Sequence, residues 1–389
     1  MRILYLAFAD LAIPKAWTVH IRAVCRCLAA QGHDVFLVTP EPSRAIVDVG
    51  VPHLRVGTGW APRRALMAFH REIWLHLGRW ARGHRAEAIY ARMIPFAAWL
   101  PWRTRALGIP LVVEVNGIVA DELRQDGASA LRLAAFQATE RLQLEGADGV
   151  TAVTESIADG LRASYPRIRR VAVVENGADP GAFPEISRDE ARTRLGLPSG
   201  RWIGFVGGLF RTRELDTLVR AVAKVRERAP DARLLIVGDG PSRGEAEAAA
   251  RRLQPGVVRF LGEIPTGDVP TAIAALEVGV FLSRLPHAQS PLKVFEYMAA
   301  RRPVLASSTA GIGAWVEREG VGLSVDASSA ESVADGILRL LDRPHLAAEM
   351  GARGRALVES HYNWDRCAVE TASFLGSVVQ RRRQDAGGI

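Results

Sequence analysis

Short unbroken apolar runs alternate along the whole chain with stretches in which apolar residues return every third or fourth position. The first kind suits strands buried on both faces, the second helices with one apolar stripe. Strand-like runs fall at 2–8, 35–39, 88–91, 111–115, 149–153 and 171–175. A second series follows at 202–206, 233–237, 258–261, 278–282, 303–306 and 322–325. Helical patterns lie between them, such as 19–31, which Gly32 closes as a natural stop. This alternation predicts an α/β protein built on parallel sheets.

Between the two series, 179–200 holds Pro180, Gly181, Pro184, Pro198 and Gly200 around one short helical stretch, a linker composition. The prediction is two Rossmann-like, doubly wound domains, 1–183 and 184–363, and a last helical segment, 364–389. A length of 389 residues, too great for one comfortable core, agrees with two domains. Two such sheets facing a cleft would gather the C-terminal ends of their strands, where ligands bind in such folds. The loops of interest are then 9–17, 116–120, 207–213, 238–241, 262–266 and 283–291.

Composition narrows the class. Hydrophobic residues at 48% and charged residues at 24% fit a soluble globular protein, not a disordered or fibrous one. No apolar run approaches the ~20 residues that span a bilayer. The apolar start is halted at Asp10 and lacks a clear small-residue cleavage site. It reads as a first strand rather than a signal peptide, and a cytoplasmic protein is expected. Cys25, Cys27 and Cys367 make no disulfide framework and read as core thiols rather than metal ligands. The formal charge of +8 makes anionic partners candidates. Lys15, Lys224 and Lys293 are the only lysines among 50 basic residues, so each stands out against an arginine background.

The most informative segment is Ser290-Pro291-Leu292-Lys293-Val294-Phe295-Glu296-Tyr297-Met298-Ala299. Serine followed by proline starts a helix, whose unpaired N–H groups and dipole suit a diphosphate. Phe295, Met298 and Ala299 share a face for the sheet. Lys293 and Glu296, three apart, share another. A lysine can neutralise phosphate, and a carboxylate can accept from two ribose hydroxyls. The plainer alternative is an exposed ion pair on an ordinary helix.

Extended to Ser307 through Ala300-Arg301-Arg302-Pro303-Val304-Leu305-Ala306, this segment resembles the nucleotide-sugar signature of the retaining glycosyltransferases of family 4 (group 1), which have the GT-B fold. Gly32-His33-Asp34-Val35, Thr151-Ala152-Val153-Thr154-Glu155-Ser156 and Val174-Glu175-Asn176-Gly177-Ala178-Asp179 are similar to that family's first domain. Phe205-Val206-Gly207-Gly208-Leu209, Leu235-Ile236-Val237-Gly238-Asp239-Gly240-Pro241 and Phe260-Leu261-Gly262 are similar to its second. The resemblance implies that the C-terminal domain binds a nucleoside-diphosphate sugar and the N-terminal one a glycan, lipid-linked or small-molecule acceptor. It implies no required metal or other cofactor, and a last helix that crosses back to the first domain. Pro291, Leu292 and Lys293 would meet the diphosphate, Glu296 the ribose, and the backbone near Ile264 the base. Gly207, Gly208, Gly238 and Ser290 complete the expected donor site.

The chain departs from the family at two places. Where the family often has the first of two glutamates, it has Ala288. Where an arginine is expected, it has Gly208, with Arg211 or Arg213 left to supply a second charge nearby; register favours Arg213. Asn116 stands where the family often has a histidine, and is either a hydrogen-bonding group for the reacting sugar or the first residue of an Asn-Gly turn. Lys15, with Trp17 and His20 beyond it, is either an acceptor-side or phosphate contact or a surface lysine. Lys224 reads as surface.

The segment 60–103 holds five of the nine tryptophans and is rich in arginine. It is either an amphipathic helix pair covering the first sheet or a surface for an anionic membrane, which would place the protein peripherally on an inner face. Nucleic acid is not expected, since no basic run is interleaved with aromatics in a recognised nucleic-acid module. The expected function is retaining sugar transfer, with Lys293, Arg213 and Asn116 nearest the chemistry. The rivals are a catalytically silent glycosyltransferase-like binding subunit and a nucleotide-sugar epimerase of the same fold.

Overall fold

The computed structural model describes residues 1–13, 15–46, 48–57, 59–125, 127–284 and 292–387. The chain divides into two units, Met1–Asn176 joined by the segment from Trp364 onward, and Gly177–Asn363.

Among the described residues, the first unit has seven strands: β1 (Arg2–Leu6), β2 (Asp34–Pro40), β3 (His53–Val56), β4 (Ala88–Arg92), β5 (Leu111–Val115), β6 (Gly149–Ala152) and β7 (Val171–Val173). They form one parallel sheet in the order β3-β2-β1-β4-β5-β6-β7. The order reverses at β1, so the sheet is doubly wound. The apolar runs correspond to these strands, apart from β3, which no run announced. As an edge strand it is only partly covered and carries an exposed Arg55. Edge strands tolerate such charges.

The final helix, Trp364–Gly387, packs on helix Ala16–Ala30. Its Phe374 ring lies where a Cβ on Gly149 would sit, 2.9 Å away, so the start of β6 is bare to let it close. Arg382 donates to Asp148 at 2.8 Å and Arg383 to Glu87 at 3.0 Å, tying the helix to two further points of the same unit.

In the second unit the described strands are β8 (Arg201–Val206), β9 (Ala232–Val237), β10 (Val258–Gly262), β11 (Val278–Phe281), β12 (Val304–Ser307) and β13 (Gly322–Val325). They too are parallel, in the order β10-β9-β8-β11-β12-β13, reversing at β8. One apolar cluster gathers Leu218, Val222, Ile236 and Ile337; another gathers Trp202, Val294, Phe295 and Met298. Each fully buried side chain of this size contributes about 1.5–3 kcal/mol. Residues 177–183, which the linker composition left with the first domain, belong to the second unit. The Ala178 amide donates to the Tyr362 carbonyl at 2.9 Å, and Ala178 and Phe183 join the second cluster.

Candidate active site

In a doubly wound sheet, ligands bind beyond the strand C-termini where the order reverses. For the second unit that point lies between β8 and β11. Tyr297 secures it: its hydroxyl accepts from the Val206 amide at 2.9 Å and donates to the Val280 carbonyl at 3.3 Å. Its ring occupies the space a side chain on Gly279 would need. Burial pushes the Tyr297 hydroxyl's pKa well up, so it stays protonated and can donate.

The chain leaves β8 at Gly207, whose amide donates to the Val237 carbonyl at 2.9 Å, and leaves β9 at Gly238, whose amide donates to the Gly262 carbonyl at 2.7 Å. Gly238 has φ 123°, and a Cβ there would fall on the Gly207 carbonyl. The two loops therefore meet backbone to backbone, which only glycine permits. Leu209 donates to the Asp239 carbonyl at 3.0 Å and Ser242 to that of Leu209 at 2.9 Å, closing the junction. Beside Gly208 the Phe210 ring fills the place a side chain would take, so the position of the family's arginine is given over to an aromatic.

Of the two arginines open to the charge role, Arg211 is exposed, whereas the Arg213 guanidinium lies 4.6 Å from the centre of the Phe281 ring. That cation–π contact holds a permanent positive charge over the end of β11. Glu214, next along, pairs with Arg284 at 2.8 Å, and the Arg284 amide donates to the Thr212 carbonyl at 3.0 Å. These bonds tie the segment after β11 to the loop after β8. Nothing in the sequence pattern marks Tyr297, Glu214 or Arg284 for these parts.

Helix Leu292–Ala299 is buried at every position save Lys293. A helix apolar nearly all round belongs inside a domain, and Phe295 stacks on Tyr362 with ring centres 5.0 Å apart. Lys293 Nζ donates to Glu296 Oε2 at 2.6 Å, with 23% of the lysine side chain and 9% of the glutamate exposed. The ion pair is real, but it is not the exposed pair of an ordinary helix. The lysine stem runs beside the Gly207 turn, 3.8 Å from where a Cβ there would lie. Ile264, after β10, is half-buried against the second cluster. Leu292 is buried in the same unit. Ser290 and Pro291, and the departure at Ala288, lie outside the described residues. Lys224 pairs with Glu331 at 2.8 Å.

The first unit's reversal, between β1 and β4, is filled by polar side chains. Glu114 on β5 is 1% exposed. Tyr5 donates to its Oε2 at 2.8 Å and Arg92 to its Oε1 at 2.8 Å; His20 Nε2 lies 2.8 Å from Oε1, and Asn116 Nδ2 donates to the same oxygen. Burial pushes the Glu114 pKa up, but His20, Arg92 and the Asn116 amide outweigh it and hold the carboxyl well below the usual range. His20 Nδ1 faces Asn176 Oδ1 at 2.7 Å, and the Trp364 ring packs edge-on against the imidazole. His20, expected among acceptor contacts, is 4% exposed and committed to this network. Its helix starts at Ala16, so His20 is one turn in and faces the sheet. Lys15 and Trp17 are half-buried at the helix start; Lys15 takes the capping position, and Trp17 Nε1 donates to the Asp10 carbonyl at 3.4 Å. Asp10 is itself buried and accepts from the amides of Ala12 and Ser43 at 2.9 and 3.3 Å, linking the loops after β1 and β2.

Two reversed parallel sheets, the second with glycine turns and paired charges at its switch point, define the GT-B class. The family model for group 1 glycosyl transferases matches residues 200–343, and the one for glycosyl transferase 4-like domains matches residues 17–177. The chain is 28% identical over 292 residues to an alpha-D-kanosaminyltransferase of Streptomyces kanamyceticus, covering 72% of this chain and 74% of that one. It is 31% identical over 241 residues to a GDP-mannose-dependent phosphatidylinositol monomannoside mannosyltransferase of Mycobacterium tuberculosis, covering 59% and 62% of the two. Sucrose-phosphate synthase of Thermosynechococcus elongatus shares the fold, with TM-score 0.81 at 22% identity over 98% of this chain and 100% of that one. The chain belongs to the group 1 glycosyltransferases and has the GT-B fold.

Proposed function

We propose that this glycosyltransferase uses a nucleoside-diphosphate sugar and transfers its sugar with retention, without a metal. The observation that carries the reading is the Lys293–Glu296 pair, enclosed beside the Gly207 turn at the end of β8. Lys293, Arg213 and the main-chain amides of Gly208 and of the Leu292-Lys293 positions bind the diphosphate and stabilise the charge that grows as it leaves. Glu296 accepts from the ribose hydroxyls, with Gly238 and Ile264 beside the nucleoside. The bond from the anomeric carbon to the phosphate oxygen breaks, a bond from the acceptor hydroxyl forms on the same face, and the hydroxyl proton passes to the departing phosphate. Asn116 hydrogen-bonds the reacting sugar, and Lys15 and Trp17 stand on the acceptor side.

The test has two stages. A thermal-shift screen of UDP, GDP, ADP and TDP and their sugars finds the donor. That donor is then incubated alone, with aminocyclitols and with phosphatidylinositol mannoside, small-molecule and lipid-linked acceptors suited to what the relatives are named for. Transfer with retained configuration supports the reading. Donor binding with no turnover across the panel means a silent binding subunit, and conversion of the donor alone means an epimerase. No stabilisation by any nucleotide removes the donor site.

A membrane-surface role for 60–103 is supported by one patch. Helix Pro62–Gly83 buries Phe69, Ile73 and Leu77 and turns Met67, Trp74 and Leu75 outward. Trp74 stacks on the exposed Trp102 with centres 6.0 Å apart, and Arg103 lies over Trp74. With Arg63, Arg64, Arg71 and Arg79 on the same helix, this face suits anionic headgroups. Among the described residues, no helix is long and apolar enough to cross a membrane. Flotation with phosphatidylglycerol vesicles but not phosphatidylcholine ones, lost in W74A/W102A, is the expected result. Equal recovery from both vesicle types refutes it.

A further inference from the structure

Glu114 is the centre of the first unit's polar network, yet nothing in the proposed reaction uses it. Three nitrogens, from Arg92, His20 and Asn116, converge on its Oε1, and the Tyr5 hydroxyl holds its Oε2. A carboxylate is acceptor-only, whereas an asparagine amide has one donor end and one acceptor end. With Nδ2 drawn to Glu114, the carbonyl oxygen is left as the end of the Asn116 amide that Glu114 does not hold. Asn116 is half-buried at the exit of β5, and the carboxylate beneath it is enclosed and cross-braced by strands β1 and β4. The amide is therefore oriented by a group that cannot itself turn.

We propose that Glu114 is a positioning residue that fixes the Asn116 amide so that an oxygen, not an N–H, meets a substrate hydroxyl. This rests on the reading that Asn116 faces the reacting sugar. The same network reaches Asn176 through His20, so the amide's orientation is set from the sheet and from the end of the first unit's main segment together. A hydroxyl held by its proton keeps its oxygen lone pairs turned toward other groups. A hydroxyl held by an N–H does the reverse.

The acceptor at position 114 can be removed to test this. Arg92 only donates, so in E114Q the glutamine oxygen still faces Arg92 and Asn116 while its NH2 faces the Tyr5 hydroxyl, and near-wild-type rates are expected. In E114M no acceptor faces the Asn116 amide, so its orientation is no longer set. Its kcat/KM for donor should fall about tenfold or more while affinity for the nucleoside diphosphate, which lacks the sugar, is unchanged, since one substrate hydrogen bond is lost or left mismatched. N116D alone sets two carboxylates against each other and should fall as well. In E114M/N116D the aspartate presents an oxygen whichever way it turns, and the rate should return to within about threefold of wild type. A role limited to bracing Tyr5, His20 and Arg92 predicts no recovery, because position 114 is altered alike in E114M and the double variant. Wild-type rates in E114M, or a double variant no faster than E114M, overturn the proposal. A second measurement needs no substrate. With selectively labelled asparagine, the Asn116 side-chain NH2 should exchange slowly in the wild type and quickly in E114M; rapid exchange in the wild type refutes the contact. If no donor is turned over by the wild type, the functional reading falls, and this exchange result still decides whether Glu114 orients Asn116.

Discussion

Removing the Lys293 ammonium should act on two quantities that can be measured apart. The side chain of its partner Glu296 is 9% exposed and bonded at 2.6 Å, so Lys293→Ala leaves an enclosed carboxylate without its cation. Breaking a buried pair costs about 3–5 kcal/mol. The lysine end is 23% exposed, so screening and water entry reduce this to roughly 2 kcal/mol. For a unit of this size that is a drop of about 4–8 °C in Tm. Lys293→Ala/Glu296→Gln removes both charges and should recover much of that stability. The rate behaves differently. Loss of one preorganised charge at a leaving group lowers kcat by at least tenfold and up to about 10³-fold. The double variant cannot recover it, because the diphosphate still lacks its ammonium. Glu296→Gln alone should cut transfer at least tenfold, chiefly by raising donor KM, since its proposed contacts are to the ribose. The assay is initial-rate release of nucleoside diphosphate across a donor titration carried to saturation, beside melting curves of all variants. Wild-type kcat in folded Lys293→Ala removes the proposed donor site. A rate that recovers together with Tm in the double variant assigns the pair a structural part only.

Tyr297→Phe strips the bridge between Val206 and Val280 and leaves a buried amide unsatisfied, which costs about 1–3 kcal/mol and is read from chemical denaturation with the midpoint shifted and the slope unchanged. EDTA should leave the transfer rate unchanged, because in the proposed site the diphosphate charge is met by Lys293, Arg213 and main-chain amides; a rate restored only by Mg²⁺ or Mn²⁺ refutes this. Burial, with Arg55 nearby, lowers the His53 pKa to about 4, against ~6.5 unfolded, so the unfolded chain binds the extra proton between those values. Stability should then fall as pH drops from about 6.5 to about 4, by roughly 1–2 kcal/mol after allowing for partial exposure, and His53→Gln should flatten that part of the profile.

The fold was legible because strands buried on both faces must be written almost wholly in apolar residues, and twelve of the strands met that condition as runs. β3 did not, since an edge strand covered on one side can carry Arg55 without penalty. Glycine loops were legible for the opposite reason. At Gly238 a side chain would strike the Gly207 carbonyl, so the residue type itself reports the close approach. The boundary was misplaced because proline and glycine mark where a chain turns, whereas Ala178 and Phe183 are assigned by the cluster they enter.

The charged groups divide along the same line. Lys293 and Glu296 sit one helical turn apart, and spacing alone brings them together. Glu114 gathers its partners from positions 5, 20, 92 and 116, with Asn176 behind His20, and only strand order brings most of these to one place. Within the apolar run 111–115 a single glutamate carries no periodic signal and resembles an irregularity. Its burial is affordable only because three donors converge on it, from Tyr5, Arg92 and Asn116, and only Asn116 is near it in the chain. A buried carboxylate inside a strand that otherwise reads as continuous core is thus a sign that donors will be found around it. The two switch points differ accordingly: in the second unit bare backbone meets beside a local ion pair, while in the first the protein supplies the charge itself and uses it to hold its side chains still.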